Sequence, residues 1–164
     1  MTTRTRTLAA GALAAVATAV TIPALTGAQT SGAREITVRE KVRSVALVHQ
    51  NSHNKSDTLA SGDSVVTLQA LSSPEGAALG TLRTDCTNIG KKAPVFKATM
   101  QCLTTYRLND GQVIAAGVVT LSSTDGLQFP IVGGSGAYAG ANGYVSSGTP
   151  VKGYDTVDIL HIAG

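Results

Sequence analysis

The segment "VFKATMQCLTTYRL" (95–108) sets the strongest limit on the fold. Phe96, Ala98, Met100, Cys102, Thr104, Tyr106 and Leu108 share one side of it, and mostly polar residues take the other. Alternation with period two belongs to a half-buried strand, because successive side chains of an extended backbone point to opposite faces. The segment runs into "NDG" (109–111), a strong hairpin signal, and then into "QVIAAGVVTL" (112–121). An isolated two-stranded ribbon is marginal in water, so the rest of the chain has to supply further strands.

It does so repeatedly. "REITVREKVRSVALVHQ" (34–50) alternates at first, with Ile36, Val38 and Val42 on one face. "DSVVTLQAL" (63–71), "ALGTLRTDCTNI" (78–89), "LQFPIV" (127–132), "GYVSSGT" (143–149) and "DTVDILHI" (155–162) are short, and turn residues bound them. About eight strands with no persuasive helix predict an all-β, antiparallel architecture. The pattern alone fits either a closed barrel or a sandwich.

The first 33 residues are read apart from this fold. "MTTRTRT" carries two arginines and no acid, "LAAGALAAVATAV" (8–20) is a short apolar run, and Pro23 and small residues follow. That is the layout of a cleavable signal peptide, with cleavage near Ala28 or Ala33. The apolar run is too short to span a bilayer, which takes about 20 residues. The expected organisation is a leader over 1–33 and a single β-barrel or sandwich domain over 34–164, secreted and with no membrane span after the leader is removed.

Export changes the reading of charge and cysteine. The chain has 13 basic and 10 acidic residues, and removal of Arg4 and Arg6 leaves eleven against ten. No basic patch remains for nucleic acid, and aromatic residues are too scarce for base stacking. Cys86 and Cys102 are the only cysteines, and an oxidising compartment makes one disulfide their simplest state. The rival is a free, reactive Cys86.

"IVGGSGAYAGANGYV" (131–145) contains "GSGAYA", a formal match to the dinucleotide pattern G-x-G-x-x-G/A. A true fingerprint needs a helix starting within it to hold the pyrophosphate. Gly140 and Gly143 forbid that helix, so the segment reads as a tight corner between strands. No G-x-S-x-G elbow is present either.

"GDSVV" (62–66), "LGTLRTDCT" (79–87), "QCLTTYRLNDGQVIAAG" (101–117) and "FPIVGGSGAYAGANGYV" (129–145) occur in this order. Together they resemble the allene oxide cyclase and dirigent superfamily, in particular its bacterial secreted members. The glycine element is the most specific part. The resemblance implies an eight-stranded antiparallel barrel, commonly a trimer, around an apolar cavity. It also implies that a small apolar molecule is held there while it cyclises, isomerises or couples, with no metal and no organic cofactor. Catalysis of that kind works through orientation and exclusion of water.

The family's carboxylate near the end of the first barrel strand has its counterpart at Gln50, which can hydrogen-bond but not exchange a proton at neutral pH. Where many dirigent proteins carry Arg, Asn142 stands. Gln50, Tyr106, Asn142 and Tyr144 are therefore the expected cavity contacts, as orienting groups. A non-catalytic binding or structural barrel is the alternative function. Four other features have simpler readings. His49 and His53 with Asp57 and Asp63 read as loop residues rather than a metal site. His161 reads as a structural histidine. Tyr138 packs at the barrel rim or enters the cavity, and Arg83–Asp85 reads as a solvent-facing pair.

Overall fold

The structure is a computed structural model and describes residues 33–50, 57–120, 126–148 and 156–163. Its strands are β1 (Arg34–Val48), β2 (Thr58–Leu59), β3 (Ser64–Ser72), β4 (Ala78–Asn88), β5 (Ala93–Pro94), β6 (Thr99–Leu108), β7 (Gly111–Thr120), β8 (Leu127–Gly136), β9 (Asn142–Ser147) and β10 (Thr156–Ala163). Eight of them close into a barrel in the order β1-β10-β9-β8-β7-β6-β4-β3, every adjacent pair antiparallel. That settles the choice between barrel and sandwich. Closure leaves the barrel itself without a free edge.

The alternation in β6 does what its pattern predicts: Met100, Cys102, Thr104 and Tyr106 face inward and are buried. The strand begins later than expected, however. Val95–Lys97 form a single 3₁₀ turn after the two-residue pairing of β2 with β5, which turns Phe96 out to solvent. Ala98 remains in the inward phase and is fully buried.

Across the hairpin, β6 and β7 pair in unbroken register from Thr99↔Thr120 to Leu108↔Gly111. In β1 the alternation is reset. The register shifts between Val42 and Ser44, so residues beyond that bulge no longer follow the phase set by Ile36, Val38 and Glu40.

The glycine-rich segment is a barrel corner. β8 runs through to Gly136, and the chain then reverses over 137–140, tied by Ala137 N–H to Asp110 O (2.9 Å) and Ala141 N–H to Tyr138 O (3.0 Å). Gly143 shows why glycine is required. Its φ is +124°, and a Cβ there would stand 2.0 Å from the His161 carbonyl oxygen on β10. Tyr138, inside this turn, is only 4% exposed and closes one end of the barrel beside Ile36, Leu79 and Leu108. Arg34 lies 5.3 Å from its ring centre. Burial and the adjacent Asp110 push the Tyr138 hydroxyl up to about 12.

Two locks sit in the walls. Cys86 on β4 and Cys102 on β6 are directly opposed in register and form a disulfide. At the far end of β1, Asp63 accepts hydrogen bonds from the Gln50 N–H (2.9 Å) and the Ala60 N–H (2.9 Å), and pairs with His49 Nδ1 at 2.8 Å. The bond to His49, followed by the two backbone donors, lowers the Asp63 carboxyl to about 2. Among the described residues no helix is long and apolar enough to cross a membrane.

Candidate functional site

The inner face of the barrel divides into two halves. Toward the Tyr138 end it is filled by Val38, Leu71, Val113, Ile131, Val145 and Leu160, all buried. Toward the other end lies a cavity of about 210 Å³, walled by Val65, Leu82, Val119, Leu127 and Phe129 together with Thr67, Thr84, Thr104, Ser147, Thr156 and the disulfide. Between the two halves is a layer of four polar side chains, Glu40, Gln69, Tyr106 and Asp158, which lie 3%, 8%, 2% and 4% exposed and form the cavity floor.

The floor is held by two hydrogen bonds. The Tyr106 hydroxyl donates to Asp158 Oδ2 at 2.5 Å, and the Gln69 Nε2 amide donates to Glu40 Oε2 at 2.6 Å. The first has an unusual position. Counted around the barrel, β6 and β10 are four strands apart in a ring of eight, so the bond spans the full width from wall to wall. Tyrosine is long enough to make that reach from an inward position, and its ring also serves as floor.

Burial, followed by the Asp158 and Glu40 carboxylates, pushes the Tyr106 hydroxyl well above the ordinary tyrosine range. It therefore stays protonated and donates. Asp158 Oδ1 is buried and receives no hydrogen bond among the described residues. A buried acceptor without a donor is costly, which marks this oxygen as the cavity's open hydrogen-bonding position.

Of the residues expected in the cavity, Tyr106 lines it. Gln50, Asn142 and Tyr144 do not, and each has a local reason. Gln50 lies two residues past the end of β1, exposed, with its amide against Gly62. Asn142 opens β9 at the closed end of the barrel and is exposed. Tyr144 points outward because its neighbour Val145 points in, and it stacks on His161 at 4.3 Å between ring centres.

Glu40, Gln69 and Asp158 were not anticipated from sequence. Their signal was present. Glu40 shares a phase with Ile36 and Val38, and Asp158 shares one with Leu160 and Ile162. An acid in the apolar phase of a strand is a buried acid.

The other titratable groups have structural roles. Arg83 makes two 2.8 Å bonds to Asp85 in solvent, as expected. His49 is engaged with Asp63, and His53 lies outside the described residues. On the outer face, Ser146 Oγ is 3.1 Å from His161 Nε2, and His161 Nδ1 is 2.7 Å from Glu35 Oε1. The connectivity is that of a serine-hydrolase relay. It lacks the rest of the machinery, because β9 is paired on both sides at Ser146 and its backbone N–H groups are taken by the sheet rather than free to hold an oxyanion. His161 ties β1, β9 and β10 together.

Fold and cavity thus define a class: a closed antiparallel barrel with a small chamber over a carboxylate–phenol floor. The chain belongs to the allene oxide cyclase barrel-like family, whose domain model matches residues 24–158. Solved structures share the fold. A pyocyanin demethylase superposes with a TM-score of 0.62 at 21% identity, covering 79% of this chain and 100% of its own. An exo-specific intermolecular Diels-Alderase follows with 0.61 at 14%, covering 81% and 99%. A pterocarpan synthase dirigent protein gives 0.59 at 17%, covering 83% and 99%. No curated protein matches the chain.

Proposed function

We propose that this barrel is a secreted protein that takes one small, largely apolar molecule into its cavity and steers its cyclisation, isomerisation or coupling. The observation that carries this reading is the chamber inside the barrel with its polar floor. Its 210 Å³ lies between the roughly 150 Å³ of an apolar hole that admits benzene and the roughly 300 Å³ at which drug-sized sites begin. The occupant is therefore a molecule of one or two rings.

The walls supply shape and dryness, and the floor supplies orientation. Asp158 Oδ1 accepts a hydrogen bond or a proton from the bound molecule, while Tyr106 holds the other oxygen and so fixes the carboxylate plane. Nothing in this scheme asks the protein for a metal or organic cofactor. It uses proximity, orientation and water exclusion. The disulfide supports secretion, and the family supports assembly as a homotrimer.

Native mass spectrometry of the protein purified from its own culture medium tests this reading, followed by incubation with extract of that medium. The expected result is a retained small molecule, or one compound of the extract converted by the protein and not by an Asp158→Asn variant. Retention without conversion would favour the alternative, a non-catalytic binding barrel. If nothing is retained and nothing is depleted, the cavity is not a ligand site.

A further inference from the structure

The floor also indicates what kind of molecule fits. Glu40 and Asp158 lie on the inner face of adjacent strands, β1 and β10, where Val38 is opposite Asp158 and Glu40 is opposite Thr156. That places the two carboxyl groups on a diagonal of one surface, the spacing at which long side chains still interact. Both act electrostatically on Tyr106, so they share one local environment.

Among the described residues, Asp158 receives its hydrogen bond from a neutral donor, the Tyr106 phenol, and the Gln69 amide donates to Glu40. None of the described residues lining the cavity is lysine, arginine or histidine. The remaining oxygen of Asp158 is buried and receives no donor among the described residues. A carboxylate oxygen removed from water looks for a positive charge or a strong donor, and the described residues of the cavity wall offer Asp158 Oδ1 neither.

We propose that the ligand supplies it: the cavity selects small ring compounds bearing a protonated nitrogen, which docks on Asp158 Oδ1, and it rejects anions of the same shape. This rests on the reading of the cavity as a ligand site and goes further by fixing the charge of the occupant. A preformed, buried acceptor favours a complementary charge, and a like charge placed there is disfavoured.

Three probes of nearly equal size decide it: 1-naphthylmethylamine, protonated at neutral pH, the neutral 1-naphthalenemethanol, and the anion 1-naphthoate. Each is titrated calorimetrically into the purified protein at pH 7 and low salt. The amine should bind at least about ten-fold more tightly than the alcohol, the size of effect that one desolvated charge contact supports, and the naphthoate should show no binding. In Asp158→Asn the amine should lose that advantage, while the alcohol keeps its affinity.

The ranking in the unaltered protein is decisive on its own, so a poorly folding variant does not remove the test. Equal or tighter binding of the alcohol, or a preference for naphthoate, overturns the charge assignment and leaves the cavity as a ligand site. Failure of all three probes overturns both.

Discussion

Replacing Tyr106 with Phe removes one oxygen and leaves the ring in place. The aromatic plate that separates cavity from core stays, so no packing defect adds to the cost. What is lost is the 2.5 Å bond to Asp158. Hydrogen bonds to a charged partner are worth about 1.5–3 kcal/mol. Here the loss is aggravated, because Asp158 Oδ1 already has no donor among the described residues, and the change would leave both oxygens bare. It is offset in part, because the chamber above is roomy enough to admit water to the stranded carboxylate. The two effects leave a net destabilisation of about 2 kcal/mol. Urea unfolding at pH 7 should show it as a lower midpoint with an unchanged slope. The cause is checked by a double-mutant cycle with Asp158→Ala. Once the carboxylate is gone, Tyr106→Phe should cost less than about 0.5 kcal/mol, the usual scale of a change with no special partner. An equal cost in both backgrounds would refute the account of the floor as a bond across the barrel.

Two further outcomes are expected. Alkylation should modify Cys86 and Cys102 only after reduction, and the Cys86→Ala/Cys102→Ala protein should lose about 3 kcal/mol in urea, the chain-entropy value for a loop this long; thiols that react without reductant would contradict the pairing. Asp63 has its carboxyl lowered from 3.8 to about 2 in the folded protein, so its contribution is complete above about pH 4 and lost as pH falls through 2. Asp63→Asn should therefore be less stable than the parent at pH 6 and should converge with it by pH 2; a constant difference across that window would dismiss the carboxylate as the cause.

The fold was legible because its rules are local. Period two in β6, the turn at 109–111 and the glycine corner each carry their own signal. The opposition of Cys86 and Cys102 then follows from the register of β4 and β6. The site was legible only at Tyr106. Its partner Asp158 lies 52 residues along the chain and on the opposite wall, a relation that exists only after closure. Gln50 was misplaced for a related reason. The resemblance implies a carboxylate near the end of the first strand, whereas β1 is bulged beyond Val42 and the buried acid, Glu40, precedes the bulge. Tyr144 shows the converse: a tyrosine of the family's marker segment lies on the outer face of β9, one residue from the inward Val145.

The floor also has a consequence for how the molecule comes into being. Glu40 is on the first strand and Asp158 on the last, and the two strands meet at the seam where the ring closes. No fragment of the domain, and no nascent chain short of its final strand, contains a competent chamber. If the proposed ligand binds, its uptake would report on completed folding, and a molecule that fits the cavity would act as a clasp on the seam. The same geometry sets Arg34 beside Ile162, so a circular permutant joined there and reopened at the 109–110 turn would carry both acids in mid-chain. In such a permutant the chamber would be inherited by a differently ordered chain.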